Sequence, residues 1–261
     1  MPSWTASSSS RSRHFSTYRG EIPDGKLDTC INMVGQIDPS KHSLFLVRHG
    51  ECEMNLALAH QVGGRASESP LTAKGQRQAQ QLGRYLEQLF AERNISTDNV
   101  RFVSSTAVRA VDTARIAMRE LAVDEARLVS TPELEELDMG EFAGQPRSDI
   151  YNEERLREIA KDVWNFRPPK GESQREVEER VMAYLDTHVR DRHDTGVTIV
   201  VYHGLAIKCT LRHILDSRPE MSRKIETENC SISHVAHCRS SGWHIKSVAF
   251  DVLYSTSFNR Q

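Results

Sequence analysis

The chain of 261 residues is 38% hydrophobic and 27% charged, with a formal net charge of −2 at pH 7. This size and balance are typical of one large α/β domain or two small ones, and a charge so near zero excludes nucleic acid as a partner of the whole surface. No apolar run approaches the roughly 20 residues of a membrane-spanning helix. We therefore expect a globular protein that binds neither nucleic acid nor a membrane; the sequence predicts no particular oligomeric state.

The first twenty residues have a composition of their own, with three arginines, seven serines and no acidic residue. We interpret residues 1–42 as a disordered tail, with a mitochondrial or plastid transit peptide as the alternative, and residues 43–261 as one folded domain. The five cysteines of the chain are an odd number without C-x-x-C spacing. This pattern favours reduced thiols in a cytoplasmic protein over a disulfide framework or a zinc site.

The predicted strands are runs of apolar and β-branched residues; in chain order they lie at 44–47, 100–103, 197–201, 231–238 and 243–250. Helical patterns lie at 51–59, from a Thr72 cap onwards, after residues 104–106, at 147–165, from the capping box of Ser173 and Glu176 onwards, and at 205–215. The pattern after 104–106 has Val108, Val111, Met118 and Leu121 on one side. The acidic segment 134–140 is a strand or an extended loop. Because strands alternate with helices, we predict a mostly parallel sheet with helices on both faces, that is, a three-layer α/β/α sandwich.

Two of these strands end in a histidine that is followed by glycine. The first runs into Arg48-His49-Gly50 and the other, far along the chain, into Tyr202-His203-Gly204. Open α/β sheets place their ligands at the carboxyl ends of such strands. A single histidine there would more often be structural than functional, but the repeated pattern predicts one site built from two distant segments.

The polar residues near these strand ends suit a phosphoryl group. Arg48 precedes the first histidine. Arg109 lies in the first turn of the helix that follows the predicted strand at 100–103. Two guanidinium groups would neutralise a dianion through paired hydrogen bonds. Asn55 and the backbone N–H of Gly204, at the start of a helix, would bind the same anion. On an exposed helix face Arg109 would be merely solvated, so the prediction depends on these residues converging.

The two histidines are suited to phosphoryl transfer. A neutral His49 would attack phosphorus and form a phosphohistidine, while His203, if protonated, would stabilise charge on the phosphoryl oxygens. A carboxylic acid would have to protonate the leaving alcohol and later deprotonate water. Glu135 and Glu136 are both candidates for this acid, and composition does not choose between them.

Other phosphate chemistries are excluded by missing patterns. The chain has no G-x-x-x-x-G-K-[ST] loop and no cysteine followed six residues later by arginine, which excludes P-loop nucleotide enzymes and cysteine phosphatases. His188 and His193 lie among scattered aspartates, an arrangement typical of a solvated surface rather than of a metal site. We therefore predict no metal and no cofactor.

These motifs, in this order, resemble those of the histidine phosphatase superfamily, which has the phosphoglycerate mutase-like fold. The resemblance runs from about Ser43 to Ile214 and is carried by five blocks. They are Leu46-Val47-Arg48-His49-Gly50-Glu51 with Asn55; residues 104–114, SSTAVRAVDTA; residues 134–144, LEELDMGEFAG; Gly171-Glu172-Ser173 with Glu176 and Arg180; and Val201-Tyr202-His203-Gly204.

The resemblance implies roles for individual residues. His49 takes the place of the phosphorylated nucleophile, Arg109 that of a phosphate-binding arginine, and His203 that of the second histidine. The acid block places the proton donor on Glu136 rather than on Glu135. By analogy, Gly63 contacts the substrate phosphate.

Departures from the family pattern indicate its phosphatase branch. The acid block lacks the arginine and tyrosine typical of phosphoglycerate mutases, and Gly63-Gly64 stands where they carry Gly-Trp. We therefore predict a metal-independent phosphomonoester hydrolase whose substrate is a small phosphorylated metabolite, such as a sugar phosphate. A cofactor-dependent phosphoglycerate mutase and a catalytically inactive phospholigand-binding protein are the alternatives.

Overall fold

The computed structural model describes residues 34–38, 40–56, 58–66, 68–190 and 196–252. The strands in these ranges are β1 (His42–Arg48), β2 (Val100–Ser105), β3 (Leu128–Thr131), β4 (Val197–Tyr202), β5 (Ile232–Cys238) and β6 (Gly242–Phe250). The α-helices are α1 (Ala73–Glu92), α2 (Val108–Glu120), α3 (Arg147–Ile150), α4 (Glu153–Lys161), α5 (Gln174–Leu185) and α6 (Gly204–Ile214).

The strands form one sheet in the order β3-β2-β4-β1-β5-β6. β1 pairs with β4, β4 with β2, and β2 with β3 in parallel, whereas β5 is antiparallel to both of its neighbours. All the strands except β5 therefore run in the same direction. This topology confirms the predicted mostly parallel sheet.

Side chains alternate along the central strands and cover both faces of the sheet. Phe45 and Val47 of β1 pack in the cluster that includes α1 and α2, whereas Leu44 and Leu46 pack in the cluster that includes α5 and α6. All four side chains are fully buried, and each such burial is worth about 1.5–3 kcal/mol. Each face needs a helical layer to exclude water, so the predicted three-layer α/β/α sandwich is confirmed.

Two helices begin where the sequence signals place them. Thr72 caps α1 by accepting a hydrogen bond from the N–H of Gly75 (3.0 Å). Ser173 and Glu176 form the reciprocal capping box at the start of α5. Both starts are set by local chemistry, which explains why the sequence predicts them.

The helix predicted at 51–59 is wrong. The structure has a short 3-10 turn at Glu53–Asn55 instead. Cys52 forms an antiparallel β-bridge with Leu71, so this part of the backbone pairs with a distant segment rather than within a helix. A tertiary contact therefore overrides the helical composition.

The sequence analysis also missed β3. This four-residue strand pairs with β2 at the edge of the sheet and leaves Val129 and Ser130 exposed, so it has little apolar patterning to detect. The acidic segment 134–140 is an extended loop that ends in a 3-10 turn at Gly140–Phe142. The helical pattern predicted at 147–165 divides into two helices, α3 and α4.

The chain already packs on the N-terminal side of the predicted domain boundary at residue 43. β1 begins at His42, and Val34 is buried in the core, where its carbonyl accepts a hydrogen bond from Nδ1–H of His234 (2.7 Å). The transit-like stretch of the predicted tail lies outside the described residues. Among the helices that the structure describes, none is long and apolar enough to cross a membrane.

The loop after β1 lies directly against the N-terminus of α1. A Cβ atom added at Gly50 would lie 2.7 Å from the carbonyl oxygen of Gly75, and one added at Gly75 would lie 1.9 Å from that of Glu51. The buried carboxylate of Glu51 accepts hydrogen bonds from Oγ1 of Thr72 (2.9 Å) and Nζ of Lys74 (2.8 Å). These contacts fix the position of the loop that follows β1.

We expect Gly75→Ala to destabilise the protein by about 2 kcal/mol or more, although alanine is the better helix former by about 1 kcal/mol. The added methyl group would overlap the backbone of Glu51, which has to move. Urea unfolding should show a lower midpoint with an unchanged slope. Gln80→Ala, at an exposed position of the same helix, is the control and should change the free energy of unfolding by less than about 0.5 kcal/mol. Wild-type stability of Gly75→Ala would contradict the close approach.

Candidate active site

The register of the sheet brings the two predicted histidines together. β1 and β4 are parallel neighbours in which Arg48 lies opposite Tyr202, so the next residue of each strand is a histidine. The backbone N–H of His49 donates to the carbonyl of Tyr202 (3.0 Å), and the ring centroids of His49 and His203 are 5.2 Å apart. Two distant segments thus meet at the carboxyl ends of the central strands, where open α/β sheets bind ligands.

The imidazole of His49 is held in one tautomer by its neighbours. Its Nδ1–H donates to the carbonyl of Gly50 (2.7 Å), and its Nε2 accepts from Nε–H of Arg109 (3.2 Å). Burial lowers the pKa of His49 well below its ordinary value, and the charges of Arg109 and Arg48 lower it further. A neutral ring with an unprotonated Nε2 is the form that a nucleophilic histidine requires.

The side chain of His203 is fully buried. Its Nδ1 accepts from Nη2 of Arg109 (3.2 Å), so its Nε2–H donates to Oγ of Ser105 (2.8 Å). Burial, followed by the charge of Arg109, lowers the pKa of His203 well below its ordinary value. A dianion near Nδ1 would act in the opposite direction, so the protonated form considered above depends on a bound anion.

Arg109 connects both histidines to the loop at 63–66. It lies in the first turn of α2 and is buried, and it donates further hydrogen bonds to the carbonyls of Gly64 (3.2 Å) and Ala66. Desolvation is the largest influence that lowers its pKa, although a guanidinium remains charged at neutral pH. Arg109 is therefore a buried cation at the centre of the site and not a solvated surface residue.

Arg48 supplies a second cation from the end of β1. Its Nη1 donates to the carbonyl of Thr227 (2.6 Å), whereas its Nε is buried and has no hydrogen-bond partner among the described residues. A Cβ added at Gly204 would lie 3.5 Å from this Nε, so the start of α6 approaches the guanidinium closely. An unpartnered buried donor costs roughly 1–3 kcal/mol, which a bound anion would offset.

Asn55 and Gly63 lie in the wall of the same site. The Oδ1 of Asn55 accepts from the backbone N–H of Cys52 (3.1 Å) and from Nδ2 of Asn229 (3.5 Å). The amide nitrogen of Asn55 is therefore the end that is left to donate towards a ligand. A Cβ at Gly63 would lie 3.2 Å from Cγ of Met54, so a side chain at this position would require Met54 to move.

The geometry separates the two candidate acids. Glu136 faces the site, where its carboxylate accepts from the backbone N–H of Leu205 (3.1 Å) and from that of Leu137 (2.9 Å). Glu135 points elsewhere and accepts a hydrogen bond from the hydroxyl of Thr106. The choice of Glu136 that the family resemblance implies therefore agrees with the placement of the two side chains.

Two arginines hold the loop that carries Glu136. The backbone carbonyl of Glu136 accepts from Nη2 of Arg180 (3.1 Å) and from Nε of Arg65 (3.2 Å), and both guanidinium groups also bind the carboxylate of Glu172. The block with Glu172 and Arg180 thus has a supporting role that the sequence pattern did not reveal. Arg65 links this support to the loop at 63–66, and no sequence signal pointed to it.

The candidate active site contains a cavity of about 430 Å³. The predicted site residues in its wall are Arg48, His49, Asn55, Gly63, Arg109, Glu136 and Gly204. The wall also contains Arg147 and Lys208, which the sequence analysis missed. Lys208 lies one helical turn after Gly204, and this spacing was the signal available for finding it.

Cations dominate the charge of the cavity. Its charged lining consists of Arg48, Arg109, Arg147 and Lys208 against the single carboxylate of Glu136, so it is suited to an anion and, by the paired geometry of arginine, to a phosphoryl group. Within the described ranges, no group of three or more histidine, cysteine or acidic residues is placed to hold a metal ion. His193 of the surface cluster considered above lies outside those ranges.

Comparison with known proteins agrees with this arrangement. Residues 44–251 match the family model described as "Histidine phosphatase superfamily (branch 1)". The chain is 33% identical over 210 residues to a protein of Yersinia enterocolitica named "Probable phosphoglycerate mutase GpmB", a match that covers 78% of this chain and 91% of the relative.

Two solved structures have the same fold. A phosphoglycerate mutase from Bacillus anthracis superposes with a TM-score of 0.66 at 22% identity and covers 85% of this chain and 99% of its own. A mycobacterial glucosyl-3-phosphoglycerate phosphatase superposes with a TM-score of 0.65 at 19% identity and covers 80% of this chain and 99% of its own. At these identities the similarity concerns the fold.

The hydrogen-bond pattern predicts that the histidines titrate differently. We expect His49 and His203 to stay neutral when the pH falls below 6.5, because burial and Arg109 lower their pKa values. His213 should protonate above pH 6.5, because its hydrogen bond to Glu178 raises its pKa. An NMR titration of the imidazole resonances checks both directions with His213 as the internal control; a midpoint near 6.5 for His49 would contradict the buried neutral ring.

Proposed function

We propose that this chain, which belongs to the histidine phosphatase superfamily, branch 1, is a metal-independent phosphomonoester hydrolase. Its substrate is a small phosphorylated metabolite. The observation that carries the proposal is the state of His49. Its Nδ1–H is held by the carbonyl of Gly50, so Nε2 is unprotonated, and Nε2 accepts a hydrogen bond from the buried guanidinium of Arg109 in a cationic cavity. When Arg109 turns its N–H groups to a bound phosphoryl group, the Nε2 lone pair becomes free to attack phosphorus.

In the first step, Nε2 of His49 forms a bond to phosphorus while the bond from phosphorus to the ester oxygen breaks. Glu136, in its protonated form, gives its proton to the leaving oxygen. In the second step Glu136 takes a proton from water, the water oxygen bonds to phosphorus, and the N–P bond of the phosphohistidine breaks. Inorganic phosphate leaves, and both His49 and Glu136 return to their starting forms.

The phosphoryl oxygens have several donors within reach of the cavity. Arg48 contributes its unpartnered Nε, and Arg109 can exchange its contacts with the loop carbonyls for contacts with the anion. The backbone N–H of Gly204 belongs to the first turn of α6, where no helical acceptor exists for it. Asn55 adds its amide N–H groups, and His203 would add Nδ1–H once a bound dianion favours its protonation. Donors already in place lower the barrier because they need little rearrangement as charge develops.

A phosphoglycerate mutase is the second candidate, because the relative from Yersinia enterocolitica carries that name. A mutase would keep the phosphoryl group on His49 and return it to the bound product. One observation favours hydrolysis: the acid block Glu136-Leu137-Asp138-Met139-Gly140 lacks the arginine and tyrosine typical of mutases. A mutase would interconvert phosphoglycerates when primed with 2,3-bisphosphoglycerate and release little phosphate.

We expect His49→Ala to lower phosphate release from p-nitrophenyl phosphate by at least about a thousandfold, because the phosphoryl group loses its acceptor. Wild-type turnover should survive excess EDTA and leave an acid-labile phosphoryl label on the protein when it is stopped rapidly. His244→Gln is the matched control, because His244 lies on β6, is hydrogen-bonded to Ser241 and is not part of the cavity wall. Undiminished turnover in His49→Ala would rule out the mechanism.

The two neighbouring glutamates provide a test of the proton donor. Glu136→Gln should lower the rate of the first step, followed as alcohol release in a single turnover, by about 10²–10⁴-fold on an alkyl phosphate. The loss should be much smaller on p-nitrophenyl phosphate, whose phenolate leaves without protonation. Glu135→Gln, which changes a carboxylate in contact with Thr106 and Arg65, should affect the first step on the two substrates alike and by little. If Glu136→Gln slows the first step equally on both substrates, Glu136 is not the general acid.

A further inference from the structure

Lys208 lies in the wall of the cavity without a direct partner. It is half-buried on α6, one turn beyond Gly204, and among the described residues its ammonium makes neither a hydrogen bond nor an ion pair. Burial, followed by the charge of Arg48, lowers its pKa, while Glu136 and Glu226 act in the opposite direction from longer range. A partly desolvated ammonium is unfavourable unless an anion accompanies it.

Arg147 reaches the same cavity from the other side of the fold, at the start of α3. Although the residue is exposed, its backbone is fixed by a hydrogen bond to the carbonyl of His60 (2.8 Å) and by the neighbouring bridge between Gln61 and Pro146. Its guanidinium lies over the ring of Tyr151, 5.0 Å from the centroid. No carboxylate among the described residues pairs with it, and the residue is part of the cavity wall.

A small apolar cluster supports this placement. Val62, Phe142 and Ile150 are buried together, and Ile150 is the last residue of α3. The segment that contains α3 is therefore packed against the loop at 60–62 rather than free in solvent. Arg147 is consequently held at the cavity by the fold and not only by its own side-chain contacts.

The charge of the cavity exceeds what one phosphoryl group requires. Arg48 and Arg109 suffice to neutralise a phosphomonoester dianion. When Glu136 is protonated, as the first step of the proposed reaction demands, the charges of Lys208 and Arg147 remain without a counterion. A substrate with one phosphoryl group and an otherwise neutral body would leave this excess uncompensated.

We infer that Arg147 and Lys208 form a second anion subsite, so that the substrate carries a carboxylate or a second phosphate besides the phosphoryl group that is transferred. This inference rests on the proposed function for the position of the first phosphoryl group. The two cations come from different layers of the fold, and both line the cavity that contains His49. They select among phosphomonoesters and take no part in the phosphoryl transfer itself.

The test compares ligands that differ only in the second anion. 3-Phosphoglycerate and glycerol 3-phosphate share a three-carbon chain, with a carboxylate in one and a CH₂OH group in the other. Fructose 1,6-bisphosphate and fructose 6-phosphate form the corresponding pair for a second phosphate. Their dissociation constants are measured by calorimetry in a His49→Gln background, in which no turnover disturbs the equilibrium.

We expect the protein to bind at least one of the two ligands that carry a second anionic group at least tenfold more tightly than the matched ligand without that group. Lys208→Met and Arg147→Gln should each reduce that preference about tenfold or more, because each removes a charge-assisted hydrogen bond. Lys224→Met and Arg157→Gln are the matched controls; both residues are exposed and lie outside the cavity wall. They should leave the preference unchanged. The pair of ligands that responds distinguishes a carboxylate from a phosphate.

Three results would overturn the subsite: no preference in the starting protein, an unchanged preference in both cavity variants, or an equal loss of affinity for both members of each pair. The last result would mean that Lys208 or Arg147 supports the phosphoryl site or Glu136 instead. Failure of the proposed hydrolysis is a separate observation, namely that protein with His49 intact releases no phosphate from any of the four ligands or from p-nitrophenyl phosphate. The binding comparison is valid in either case.

Discussion

The parallel pairing of β1 with β4 is the contact on which the candidate active site depends. It places Arg48 opposite Tyr202, and the two histidines that follow are then adjacent because both strands end at the same edge. A shift of one residue would turn every side chain of β1 to the other face of the sheet. Leu44 and Leu46 would exchange places with Phe45 and Val47, so the two packed faces enforce the register that aligns the imidazoles.

Burial then gives the site its chemical state. Two imidazoles and a guanidinium share a region from which water is largely excluded, and the least costly solution is for the rings to remain neutral while Arg109 keeps its charge. The hydrogen bond of His49 to Gly50 selects the tautomer. The positive charge of Arg109 that opposes protonation of the histidines also favours the binding of an anion.

Much of the fold was predictable because its signals are local. The Thr72 cap, the Ser173 capping box and the apolar runs of the central strands each depend on residues close in sequence, and each appears in the structure. The errors occurred where distant segments compete. The segment 51–59 has helical composition, but its backbone pairs with the segment before α1; β3 is defined by its pairing with β2 more than by its own residues.

By itself, the sequence determined the nature of the site. Its signals were two His-Gly pairs after buried strands, an arginine beside the first pair and a second arginine in another segment. These residues line the cavity or lie next to it. The residues alone did not choose between Glu135 and Glu136, because adjacent glutamates are chemically identical and differ only in the direction in which the backbone points each side chain. The family resemblance selected Glu136, and the structure places Glu136 in the cavity wall. Arg65, Arg147 and Lys208 became visible only in three dimensions. Their roles depend on which surface each side chain faces, and that is decided by packing among segments far apart in the chain.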